Sequence, residues 1–238
     1  MRFIRLLAAA VLLAAMLPAS GNAQPRPELS TVTVAAVPVA FALDHENPAI
    51  AFDFSETVVG LYITRPGLQI ALHNGSPFND DGALDLFDLN LSVFGRLLAD
   101  RTEDWPVFVP VMLHSSYRRV RRIESGSQFA AFEYTGVGLG AGLAGRRESG
   151  RVSVQVRGVP GIGYATRSFG ASGGWTTLVD SDLHITVDQL FGRFGLALGY
   201  GFRYQAWRVG GPDAFDAAGS GKVTYDGNTQ SLRVGITW

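Results

Sequence analysis

His114 and Ser116 sit two residues apart in the stretch LHSSYRRVRRIE, Leu113 to Glu124. A serine hydroxyl is a weak nucleophile until a neighbouring base takes its proton and an acid orients that base. On an extended chain residues two apart point the same way, so His114 and Ser116 share one strand face. Glu124 would have to be the orienting acid. The bland alternative is two polar side chains on the inner face of a strand. Arg118, Arg119, Arg121 and Arg122 follow at once. Planar guanidinium groups bind phosphate in pairs of hydrogen bonds, so the cluster suits lipid phosphates at an outer rim. The alternative there is a solvated basic loop.

Other polar groups give weaker chemistry. His184 lies near Asp182 and Asp188, an Asp–His combination that could suggest proteolysis. A structural reading is preferred, in which Asp182, Asp188 and Arg203 form an interior charge network. The acids of NDDGALD, Asn79 to Asp85, lack the spacing of a calcium loop. His45, His73, His114 and His184 have no metal-ligand spacing. GVGLGAG has no helix after it and is no nucleotide fingerprint. The sequence therefore implies neither a metal nor a cofactor.

The elements that must hold these residues are strands. Phe194 to Arg208 places Phe194, Leu196, Leu198, Tyr200, Phe202 and Tyr204 on one face. Gly195, Ala197, Gly199, Gly201, Arg203, Gln205 and Trp207 take the other. The small residues of the second face fit a crowded interior. Similar alternation predicts about ten strands, near 30–43, 49–64, 67–74, 85–98, 107–119, 129–144, 151–166, 181–190, 194–208 and 229–238. Eight is the alternative, should the first hairpin lie outside the wall. A turn at Phe191–Arg193 would set Leu183 against Phe202 and Asp182 against Arg203. GRRESG, Gly145 to Gly150, reads as another turn. Connections near 65, 102, 147 and 192 are short, and those near 80, 123, 173 and 218 are longer.

Residues 1–23 read as a cleaved signal peptide: Arg2 and Arg5, the apolar run Leu6–Leu17, then small residues before Gln24. A retained anchor would need roughly 20 apolar residues. Residues 24–238 form the expected single domain. Without Arg2 and Arg5, 18 of the 20 basic residues remain against 21 acidic ones, which gives no support to a nucleic-acid partner. With no Cys, neither lipid attachment at a cysteine nor a disulfide is open to the chain.

The terminal stretch SLRVGITW alternates Leu232, Val234, Ile236 and Trp238 with small or polar residues. It resembles the closing strand of bacterial outer-membrane β-barrel proteins, and no one subfamily is singled out. The resemblance implies an all-β antiparallel transmembrane barrel in the cell outer membrane of a Gram-negative bacterium, exported by the Sec route. It also implies lipid as surroundings and recognition of Leu232, Val234, Ile236 and Trp238 by the barrel assembly machinery. Oligomeric state is left open. The expected role is non-enzymatic: structural, surface-interacting, or porin-like passage of small solutes. His114-x-Ser116 also resembles the motif of outer-membrane lipid A deacylases, which makes such a hydrolase the alternative. Tyr117 stands where that family has asparagine, and the predicted register turns both residues away from lipid, where that family's site faces. A soluble periplasmic β-sandwich binding module is a further alternative.

Overall fold

The structure is a computed structural model and describes residues 29–45, 51–75, 84–100, 107–122, 131–167, 173–209 and 223–238. The expected signal segment and most of the acidic stretch at 79–85 lie outside these. The described chain forms β1 (Thr31–His45), β2 (Phe52–Arg65), β3 (Leu68–Gly75), β4 (Leu84–Asp100), β5 (Val107–Arg122) and β6 (Ala131–Ala141). Then come β7 (Leu143–Ser149), β8 (Val152–Arg167), β9 (Gly173–Phe191), β10 (Phe194–Val209) and β11 (Val223–Thr237). Among the described residues no helix is long and apolar enough to cross a membrane, a test that does not bear on strands.

Each strand pairs antiparallel with its neighbours, and β1 pairs with β11, from Thr31↔Thr237 to His45↔Val223. The sheet therefore closes. β6 and β7 are one stave interrupted at Gly142, since both keep one register against β8. The wall thus has ten staves. The first hairpin belongs to it, which decides the count in favour of ten over eight.

The interruption has a local cause. Ala141 lies opposite Pro160, which has no N–H to give to the ladder. Gly142 donates instead to the Pro110 carbonyl at 3.1 Å. The walls are so close here that a Cβ on Gly142 would stand 1.9 Å from the Gly158 carbonyl oxygen. Glycines at such points let a sheet bend sharply enough to close.

Three sequence expectations are corrected. GRRESG is mostly strand, and the chain reverses at Gly150–Arg151, with Gly150 at φ 57°. β9 and β11 begin earlier than expected, at Gly173 and Val223. The β9–β10 register is shifted by two, with Leu183 opposite Tyr200 and Asp182 opposite Gly201. The turn is as tight as expected, with Phe191 opposite Phe194, but two extra residues bulge from β9 near Gln189, at φ 53°. An even shift preserves which face each side chain takes while changing its partner.

The outward face is apolar only toward the short-turn end. Leu61, Leu91, Leu139, Leu198, Leu232 and Val234 belong to this belt, and Leu139 and Leu232 expose 60% and 63% of their surface. Trp238, Phe191 and Phe194 rim it near the turns. Trp175 and Tyr164 meet edge-on at 6.3 Å, and Phe87 and Tyr117 at 6.0 Å, toward the other end. Beyond that ring the outward residues become polar: Asp53, Ser55 and Thr57 on β2, and Asp226, Asn228 and Gln230 on β11.

The interior does the reverse. At the long-loop end it is filled by Phe41, Leu43, Phe54, Tyr134, Trp207 and Tyr225, all buried. Trp207 stacks on Tyr225 at 5.4 Å, and Phe41 on Phe54 at 5.0 Å. Small and ionic residues therefore share the tube with an aromatic core that closes its upper part. β1 has 15 residues; at about 3.3 Å each and a tilt of about 35–45° it climbs roughly 35–40 Å, more than an apolar band of about 25 Å. Toward the long-loop end the polar face turns out and the apolar face turns in.

Gly142→Ala should lower the midpoint of unfolding in detergent by a readily measured margin, because its Cβ meets backbone. Gly158→Ala, whose Cβ would have its nearest neighbour 4.0 Å away at Ser181 Oγ, should leave the midpoint unchanged. Equal effects at the two positions would rule out close wall contact as the reason for Gly142.

Candidate functional site

The polar residues of the tube gather beneath the aromatic core. Asp88 on β4 faces inward, opposite Arg118 on β5, and both are almost wholly buried. Arg118 Nη2 donates to Asp88 Oδ2 at 2.8 Å and to Thr229 Oγ1 at 3.2 Å. Its Nη1 donates to the Tyr225 hydroxyl, and its Cζ lies 5.2 Å from the Phe41 ring centre. Arg118 is thus the junction between the charged layer and the aromatic layer.

The same Asp88 oxygen lies 2.9 Å from His73 Nδ1, and His73 Nε2 lies 2.8 Å from the Tyr62 hydroxyl. A carboxylate only accepts, so Nδ1 carries a proton and donates it to Asp88. The Asp–His–Tyr order resembles a nucleophile relay, yet all three groups are sequestered in a tube with room here for about one water (about 30 Å3). The arrangement joins β2, β3, β4, β5 and β11 across the lumen and acts as a staple.

A second charged layer lies nearer the short turns. Arg203 donates from Nε and Nη2 to Asp180 Oδ2 at 3.1 and 2.8 Å, and Arg157 reaches Asp180 Oδ1 at 3.3 Å. Arg233 pairs with Asp182. The expected interior residues Asp182 and Arg203 are in this layer, each with a partner other than the one expected, as the register shift dictates. Asp188 lies lower, in a recess it shares with Arg146 and Arg151.

His114 and Ser116 both point into the tube and are buried. His114 Nδ1 engages Ser92 Oγ at 3.0 Å, and no hydrogen bond joins His114 to Ser116. Glu124 lies outside the described residues. Arg119 takes the outward face, with Cζ 5.7 Å from the Phe87 ring centre, while Arg118 takes the inner one. The backbones of Arg121 and Arg122 continue β5. The basic run is split by the strand into two faces. Leu232, Val234, Ile236 and Trp238 all lie outward and exposed on or just beyond β11. Among the described residues no three His, Asp or Glu converge as a metal site would require.

Sequence reading missed Asp88, His73, Tyr62, Tyr225, Asp180 and Arg233. A signal existed: Asp88, Asn90 and Ser92 alternate with Phe87, Leu89, Leu91 and Val93, so their face is inward whenever the leucine face is outward. Which cation meets Asp88 depends on pairing with β5, and no local pattern contains it.

No family model matches the chain, and no curated protein matches it. Solved structures with some likeness include Neisserial surface protein A, at 12% identity over 88% of this chain and 98% of that one, with a TM-score of 0.32. Ail of Yersinia pestis, in complex with a heparin analogue, is 14% identical over 89% and 99%, with a TM-score of 0.32. The outer membrane protein AlkL is 12% identical over 92% and 94%, with a TM-score of 0.34. Likenesses this distant leave the function to the chain's own geometry.

Removing one member of a buried ion pair costs about 3–5 kcal/mol, whereas replacing both with apolar groups costs far less. Asp88→Ala should therefore destabilise the barrel by about 3 kcal/mol or more in equilibrium unfolding. Asp88→Ala combined with Arg118→Met should recover much of that loss. A double variant as weak as the sum of the two single ones would show that the two side chains act independently.

Proposed function

We propose that this chain is an integral outer-membrane β-barrel protein whose sealed tube anchors the structure and presents its polar upper rim and long loops at the cell surface. The observation that carries this reading is the reversal of faces along the wall. Below the ring of Trp175, Tyr164, Phe87 and Tyr117 the exterior is aliphatic, and above it the exterior is polar. A soluble protein rarely exposes a continuous apolar surface of this extent. In hydrocarbon the same surface is favourable, and the closed ladder leaves no unpaired edge strand. The soluble sandwich alternative would need two layers packed face to face, whereas this sheet closes on itself.

The aromatic core supports a structural or surface-interacting role over passage of solutes. Phe41, Phe54, Tyr134, Trp207 and Tyr225 occupy the space a pore would need. The hydrolase alternative gains nothing from His114 and Ser116, which are buried and not bonded to one another. Contact with lipid phosphate falls to Arg119, on the outer face beside the Phe87–Tyr117 ring, because Arg118 is committed to Asp88. The exposed Leu232, Val234, Ile236 and Trp238 remain the proposed contact for the assembly machinery.

The mature protein should fractionate with the outer membrane and run faster on gels before boiling than after. In a planar bilayer it should give no regular conductance steps. Leu198→Arg should cost about 2–4 kcal/mol of stability in lipid, as an arginine at mid-membrane does, while Asn228→Arg should cost close to nothing. Recovery of the protein in soluble form without detergent, or equal costs at the two positions, would remove the membrane reading.

A further inference from the structure

Between the two charged layers the lumen keeps a cavity of about 30 Å3. Its wall takes Tyr62, His73 and Asp88 from the upper layer and Asp182, Arg203 and Arg233 from the lower one. Small residues leave the space. Ala71 and Gly201 line it, and a Cβ on Gly201 would stand 2.7 Å from Ser231 Oγ and 3.7 Å from Asp182 Oδ2. A buried water needs about 10–15 Å3 of such room and two to four polar partners.

Among the described residues, three buried polar atoms on this wall have no partner: Asp88 Oδ1, Asn90 Nδ2 and Arg233 Nε. The neighbours show why. Two donors reach Asp88, from His73 Nδ1 and Arg118 Nη2, and both use Oδ2. Arg233 pairs with Asp182 through Nη2 and lies against the Tyr62 ring, with Cζ 5.0 Å from its centre. Asn90 is two residues from Asp88 on β4 and so shares its inward face. A buried polar group without a partner is costly, and a charged one more so.

The polarity of the three atoms decides what can bind. Asn90 Nδ2 and Arg233 Nε only donate, and a carboxylate oxygen only accepts. Chloride would satisfy the two donors and be repelled by Asp88. A metal cation would suit Asp88 and meet two N–H groups. Water donates and accepts, and it fits the volume.

We propose that this cavity binds a single structural water, which accepts from Asn90 Nδ2 and Arg233 Nε and donates to Asp88 Oδ1. The water joins the upper pair of Asp88 and Arg118 to the lower pair of Asp182 and Arg233. The two layers then act as one network across the tube beneath the aromatic core. Asn90 belongs to neither ion pair, and holding the water is its role.

The test uses the full mature barrel folded in a neutral detergent, with its folding checked by gel mobility before boiling. In the unaltered protein, water should give dipolar NMR cross-peaks to the Asn90 side-chain amide and to the Arg233 Nε–H. Rotating-frame spectra separate these by sign from hydrogen exchange. Oxygen relaxation dispersion of the solvent counts waters held longer than the barrel takes to tumble. That count should fall by one in Asn90→Leu, whose side chain offers no donor and fills the cavity. Asn228→Leu, on the outer face of β11, should leave the count unchanged. Absence of the dipolar cross-peaks, an unchanged count in Asn90→Leu, or an equal loss in Asn228→Leu would overturn the site. Should Asn90→Leu fail to fold, the cross-peaks of the unaltered protein decide alone. The measurement needs only a folded barrel, so it stands or falls separately from the membrane assignment.

Discussion

Pairing of β1 with β11 is the constraint on which the rest of the structure depends. A sheet surrounded by hydrocarbon has no water to satisfy an open edge, and each unpaired backbone group there costs several kcal/mol. Thirteen residue pairs join the two strands, and Ser30 and Trp238 exchange two further hydrogen bonds. The strands that close the wall are 207 residues apart from Ser30 to Thr237. Closure is therefore a long-range event, and every other register must be compatible with it.

Closing ten strands makes a narrow tube, and the two ends of that tube meet different surroundings. On the proposed membrane reading the wall has lipid outside at the belt, so polar groups there can only turn inward, where they must pair. Asp88, Asp180 and Asp182 meet Arg118, Arg203 and Arg233 for that reason. Above the belt the wall has water outside, and the apolar side chains turn inward as in a soluble protein. One alternating backbone serves both environments by exchanging which face carries the apolar residues.

Arg118 stands where the two regimes meet. It bonds the charged layer through Asp88 and touches the aromatic layer through Tyr225 and Phe41. Burying such a group is favourable only with its partners complete.

The sequence by itself determined the all-β class, about ten strands with eight as the alternative, and the face on which each belt residue lies. Period-two alternation is a local property, and Leu196, Leu198 and Tyr200 reveal it unaided. It also assigned Asp182, Arg203, His114 and Ser116 to the face opposite lipid. Only the tertiary structure decided which side chains meet. A bulge near Gln189 moved one register by two residues and gave Arg203 to Asp180 in place of Asp182. The early part of β11 was obscured because Tyr225 faces inward, and that of β9 because Leu178 lies inside while Trp175 and Val179 lie outside. The staple of Tyr62, His73, Asp88, Arg118 and Tyr225 draws on five strands, and no window of sequence contains it. Local pattern fixes direction along a strand, whereas partnership across a closed lumen is set by registers that only closure defines.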